Sequence, residues 1–139
     1  MNEQATIDVF FYGLFMDAGI LSRLGIAANN PRRAHVRDYA LVIGDRAALV
    51  PRPGNNCFGM VFSLTKANAE RLYASDGLEN YRPELLIAEF DDRSTGDVLC
   101  YNLPDPPSAD TFNERYAADL QTVLRDLGFP DDYINAIAG

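Results

Sequence analysis

The chain has 139 residues, 47% hydrophobic and 23% charged, which is enough for one compact domain, too little for two, and too apolar for a disordered chain. Its longest apolar run, Val9 to Met16, is eight residues and contains a Gly, which excludes a transmembrane helix. The net charge is −8. Residues 1–88 balance nine acids against nine bases, and residues 89–139 carry eleven acids against three Arg. A surface of that sign repels phosphate backbones, so nucleic acid is not an expected partner.

Thr6 to Tyr12 is β-branched and aromatic and stops at Gly13, which predicts a buried strand. Asp17 caps a short helix that ends at Gly25. Arg33 to Gly44 alternates as a strand, with a phase shift near Arg37-Asp38 that predicts a bulge. Ala47 to Val50 reads as its hairpin partner. Pro51-Arg52-Pro53-Gly54 is turn chemistry with Gly54 at positive φ. Cys57 to Leu64 is the next strand, and Gly59 within it marks a bulge or a close backbone approach. Thr65 caps a helix over Lys66 to Ala74, followed by Gly77. Glu84 to Phe90 and Asp97 to Leu103 form a hairpin through Ser94-Thr95-Gly96. Ser108 is read as the cap of the longest helix, with Phe112, Tyr116, Leu120, Val123 and Leu127 on one stripe. Gly128 ends it, and Asp131-Asp132 opens a last short helix. This order is α+β, with a mixed sheet of about six strands that curls.

Most catalytic constellations are missing. His35 has no Ser or Cys motif beside it, and Cys57 and Cys100 lie in apolar strands as inert core thiols. Two Cys and one His cannot supply a structural zinc site, and neither standard Gly-rich phosphate loop occurs. Met1 to Gln4 has no basic region leading into an apolar block, so no signal peptide and a cytoplasmic location are expected.

Two places remain. Tyr12-Gly13-Leu14-Phe15-Met16-Asp17 turns from a strand through a Gly into a helix. Converging main-chain N–H groups there would bind a carboxylate or phosphate; the alternative is an ordinary tight connection. Asp76-Gly77-Leu78-Glu79-Asn80-Tyr81-Arg82-Pro83 lies between a helix and a strand. A half-buried carboxylate there would have a raised pKa and serve as a proton shuttle; the alternative is a helix end with surface acids.

The order of these pieces resembles the γ-glutamylcyclotransferase-like (AIG2-like) family over nearly the full chain. The resemblance rests on Phe11-Tyr12-Gly13-Leu14-Phe15-Met16, on Val36 to Leu41, and on the Pro51-to-Gly54 turn. Phe58-Gly59-Met60-Val61-Phe62, Asp76-Gly77 with Tyr81-Arg82, and Gly128-Phe129-Pro130-Asp131-Asp132-Tyr133-Ile134 complete it. The resemblance implies a small mixed β-barrel flanked by helices, one domain over residues 1–139, with a cavity at the barrel mouth. It further implies that Tyr12, Gly13, Leu14 and Phe15 hold the α-carboxylate of a γ-glutamyl group and that Asp76 is the acid and base of its cyclisation to 5-oxoproline. Tyr81 would border the cavity and orient the acid. No cofactor, metal or membrane is implied, and the oligomeric state is left open. The chain departs from the family pattern in two places: Leu14 and Phe15 stand where the family usually has a small polar residue, and Asp76 replaces a Glu. A non-catalytic domain binding a γ-glutamyl or other carboxylate compound is the rival reading. A third is an interaction protein whose acidic C-terminal helices face a partner.

Overall fold

The computed structural model describes residues 5–74, 78, 80–105 and 112–137. Five strands, β1 (Thr6–Phe11), β2 (Asn29–Ile43), β3 (Ala47–Thr65), β4 (Arg82–Phe90) and β5 (Thr95–Asn102), close into a barrel in the order β1-β3-β2-β4-β5. All neighbours are antiparallel except β1 and β5, which meet in parallel at Val9 and Leu99. The barrel is therefore mixed, as the sequence predicts. Helices α1 (Ala18–Arg23), α2 (Lys66–Tyr73), α3 (Glu114–Asp126) and α4 (Asp131–Ile137) flank it.

The period-2 alternation of a strand sorts its residues between two cores. On β1, Phe10 joins Val36, Val61, Val98 and Cys100 in one cluster, while Val9 and Phe11 pack with helix residues Leu21, Leu72, Leu120 and Leu124 in the other. Caps fall where side-chain chemistry favours them. Asp17 accepts the Gly19 N–H at 2.8 Å, and Thr65 accepts that of Asn68 at 3.1 Å.

The strand count is five rather than six, because Ala47–Val50 and Cys57–Leu64 belong to one strand. Pro51 to Gly54 does not reverse the chain. Tyr39 pairs with Pro51 and Arg37 with Asn56, so four residues of β3 bulge opposite Asp38 alone. Gly54 takes φ +88° and donates its N–H to the Asp38 carboxylate at 3.0 Å, while Asp38 itself sits at φ +67°. The predicted bulge in β2 is this same irregularity. The β4–β5 turn starts three residues earlier than expected and spans Asp91 to Ser94, closed by the Phe90 N–H donating to the Ser94 carbonyl, while Thr95 and Gly96 belong to β5. Helix α3 starts at Glu114, and its cap is Asn113, whose side chain accepts the Tyr116 N–H at 3.0 Å. Phe112 is consequently exposed and outside the helical stripe. Ser108 and Gly77 lie outside the described residues.

Asn102, at the end of β5, is the only buried polar residue among those described. Its amide substitutes for a strand neighbour: Oδ1 accepts the Leu49 N–H at 2.9 Å and Nδ2 donates to the Leu49 carbonyl at 3.0 Å. An Asn102→Leu variant leaves both main-chain groups of Leu49 unpaired inside the barrel, at about 1–3 kcal/mol each. Urea denaturation should show a loss of about 2–6 kcal/mol.

Candidate active site

Where β1 ends, the chain passes through Tyr12 and Gly13 into a single 3-10 turn, Leu14–Met16. This loop forms one wall of an open pocket. Arg46 in the β2–β3 turn, Ala47 at the start of β3, Tyr73 at the end of α2, Leu78 and Tyr81 before β4, and Tyr116 on α3 line the other sides. Tyr12, Gly13, Leu14, Phe15 and Tyr81 thus share one cavity.

The turn leaves amides unpaired. Met16 and Asp17 donate to the Gly13 and Leu14 carbonyls, whereas the N–H groups of Gly13 and Phe15 have no acceptor among the described residues. The Leu14 N–H is held by the Tyr116 hydroxyl at 3.2 Å. Gly13 is extended (φ −113°), so it is not needed for an unusual backbone angle. A Cβ there would instead collide with the Tyr116 hydroxyl and press on the Ala47 Cβ at 3.4 Å. The glycine lets α3 approach the loop this closely.

Hydroxyl groups around the pocket are committed to the barrel rim. Tyr12 donates to the Tyr101 carbonyl at 2.9 Å and lies 3.3 Å from Asn102 Oδ1. Tyr81 donates to the Ala47 carbonyl at 2.6 Å; with its proton placed there, its oxygen is left to accept. Tyr73 stacks on Tyr101 with ring centroids 4.0 Å apart and meets Phe15 edge-on. Burial pushes the Tyr81 and Tyr116 pKa values up, opposed by the charge of Arg46 and, for Tyr116, by the amides of Leu14 and Ala47. Both remain neutral hydrogen-bonding groups at neutral pH.

Arg46 is the only charged residue among the described residues lining the pocket. The arrangement suits a small anion: free amides, one cation, and aromatic walls. Among the described residues, no group of three His, Cys, Asp or Glu side chains is gathered to hold a metal.

The family model for gamma-glutamyl cyclotransferase, AIG2-like, matches residues 9–118, which include every described wall of this pocket. The chain belongs to that family. Solved structures agree on the fold. A structure named "Gamma-glutamyl cyclotransferase" superposes with a TM-score of 0.76 at 17% identity, covering 95% of this chain and 86% of that one. The uncharacterized protein loc79017 from Homo sapiens gives 0.78 at 18% identity, with 96% and 87% covered. A yeast gamma-glutamyl cyclotransferase described as specific to glutathione gives 0.70 at 11%, with 96% and 94% covered. At these identities the likeness is one of fold. No curated protein matches the sequence.

In this family member, the acid predicted from sequence, Asp76, lies outside the described residues, as does Glu79. Leu78, between them in the chain, is buried against the pocket. Sequence reasoning missed Arg46, which reads there as one more turn residue, and Tyr116, which reads as one more member of a helical stripe. The remaining candidates stand elsewhere. His35 lies tilted against the Phe58 ring, centroids 5.5 Å apart, and faces Glu89 at 3.7 Å. Cys57 is fully buried, its thiol pushed up to about 12 by desolvation, and Cys100 is likewise buried and raised. Among the described residues, no helix is long and apolar enough to cross a membrane.

Proposed function

We propose that this chain is a γ-glutamylcyclotransferase that releases 5-oxoproline from a γ-glutamyl amide, with Asp76 as general acid and base. The observation that carries the reading is the pair of amides, Gly13 and Phe15, that have no acceptor among the described residues, on the wall of a pocket whose described lining holds a single cation. Such amides bind the α-carboxylate whatever side chains stand at 14 and 15, so the apolar Leu14 and Phe15 leave the cradle in place.

The chemistry needs little more than position and one proton carrier. The α-nitrogen attacks the γ-carbonyl carbon, forming the lactam C–N bond as the original amide C–N bond breaks. Two protons must travel from the α-ammonium to the departing nitrogen, and the Asp76 carboxylate relays them in turn. Holding amine and carbonyl face to face within one ligand accounts for much of the acceleration. Tyr81, whose own proton lies on the Ala47 carbonyl, offers its oxygen to Asp76 when that acid is protonated. No step requires a metal or cofactor. The expected partner is a small γ-glutamyl compound, and a cytoplasmic setting fits that chemistry.

A second reading, a non-catalytic γ-glutamyl-binding domain, draws on two observations: the Leu14 amide is already held by Tyr116, and Asp76 is a methylene shorter than the family Glu. A panel of γ-glutamyl amides assayed for 5-oxoproline separates the two. We expect turnover of at least one compound. In Gly13→Ala, the collision with Tyr116 should displace the loop and lower turnover by about a hundredfold. Binding of the panel without any 5-oxoproline would establish the second reading instead.

A further inference from the structure

Of the four large hydrophobic side chains exposed among the described residues, two stand together. Leu85 and Ile87, 69% and 66% exposed, are two residues apart on β4, so the strand's alternation turns both to the outside of the barrel. Leu86 and Ala88 face the other way, toward the inner cluster of Val98 and Cys100. Beside the outward pair the barrel wall is incomplete. β2 and β4 pair only at Ala34–Phe90 and His35–Glu89. Past those pairs a groove opens at the surface, with Leu85 and Ile87 on its β4 side and Arg37 on its β2 side.

The charges beside this apolar line are sorted by sign. On the β5 flank, Asp97 is the direct cross-strand partner of Ile87 and shares its outward face. It is exposed and makes no ion pair among the described residues. On the β2 flank, Arg37 stands level with Ile87, each two residues past the His35–Glu89 pair. Its side chain is 70% exposed and bonds Glu89 at 2.7 Å, and a guanidinium has further donors for a second carboxylate. Because the strand order is β2-β4-β5, the face reads cation, apolar pair, anion from one flank to the other.

Such a row is its own complement. A half-turn about an axis along β4 sets apolar centre on apolar centre and places Arg37 of one copy over Asp97 of the other at both rims. One contact repeated on both sides is the isologous interface of a two-fold dimer. We infer that the outer face of β4 is a docking surface for a second copy of this chain, with Leu85 and Ile87 at its centre and an Arg37–Asp97 pair at each rim. None of the described residues lining the loop pocket belongs to this face, so the interface is independent of the proposed reaction. A face three strands wide falls at the small end of interface sizes, which sets the dissociation constant at about 10–100 µM.

Sedimentation velocity of the full chain from about 1 µM to about 1 mM should show a reversible monomer–dimer shift. Ile87→Lys should abolish it, and Leu85→Lys repeats the test at the neighbouring residue should the first variant fail to fold. Arg37→Asp and Asp97→Arg should each weaken self-association about tenfold, because each sets like charges against one another at both rims. Mixed in equal amounts, these two variants should associate about as tightly as wild type, since opposite signs then meet again at both rims. Urea midpoints establish that each variant is folded. A wild type that stays monomeric up to about 1 mM would overturn the inference. So would a dimer that survives both lysine variants, or charge variants that do not recover on mixing.

Discussion

Asp76→Asn should lower 5-oxoproline release by about 10²–10⁴-fold, with the urea midpoint unchanged, because a positioned general base contributes that much and an amide cannot carry protons. The companion variant is more discriminating. Asp76 holds its carboxyl about 1.5 Å shorter than the family's Glu would, one C–C bond, and a misplacement near 1 Å costs about a hundredfold where geometry supplies the rate. If the pocket retains the family's dimensions, Asp76→Glu should raise kcat about ten- to a hundredfold. Leu78 and Tyr81 are packed on the pocket wall. Had they closed in to suit the shorter acid, the extra methylene would overpack the site, at about 1–3 kcal/mol, and the rate would fall. Glu79 is the remaining acid in this segment, and Glu79→Gln in the Asp76→Glu background separates its contribution. Undiminished turnover in Asp76→Asn would remove Asp76 from the mechanism, and single-turnover measurement of 5-oxoproline is the readout.

The parts of this molecule legible in its sequence are those governed by local chemistry. The run Thr6 to Phe11 is a strand because β-branched and aromatic residues fit a pleated surface, and Gly13 marks where it turns. Thr65 and Asp17 are caps because their oxygens reach the orphan amides two or three residues on. The same reasoning goes astray where a distant element decides between two local options. Pro51 to Gly54 carries every mark of a reversing turn, yet β2 pairs with β3 on both sides of it, so the ladder converts the turn into a bulge. Ser108 and Asn113 are both good caps by residue type. Asn113 also bonds Gly44 and Asp45, contacts no local pattern contains.

The candidate site divides along the same line. The loop Tyr12 to Phe15 and Tyr81 stand out because a strand running through glycine into a turn, and an acidic segment between helix and strand, are local patterns. Arg46 and Tyr116 carry no such pattern. The bond from the Leu14 amide to the Tyr116 hydroxyl spans 102 residues of chain, and Arg46 reaches the pocket only because the barrel brings the β2–β3 turn beside β1. The missing side chain of Gly13 likewise accommodates a neighbour that no local pattern contains, Tyr116. A ligand held by the Gly13 and Phe15 amides, as proposed, would share that wall with Tyr116, so its binding geometry would depend on where α3 is docked.

Gly59→Ala should be the most destabilising single substitution in the barrel. Gly59 pairs with Ala34 on β2, one step from the Met60–Phe11 pair that joins β3 to β1. A Cβ at this position would overlap the Phe11 carbonyl oxygen and come within 2.8 Å of the Phe10 ring. The ring alone has some freedom to turn aside. The carbonyl belongs to a strand bonded along its length, so β1 would have to lift away from β3. Overpacking of a core costs about 1–3 kcal/mol, and the ladder bonds lost at this crossing add about 1 kcal/mol each, so a loss of about 3–5 kcal/mol is expected from a domain whose whole stability is of order 5–15. Phe10→Leu combined with Gly59→Ala isolates the two contacts: trimming the ring should recover only the smaller part. Because Phe11 leads directly into Tyr12 and Gly13, any fraction that still folds should have the loop amides displaced and ligand binding lost. A Gly59→Ala protein within about 0.5 kcal/mol of wild type by urea denaturation would show that β1 and β3 do not cross this closely.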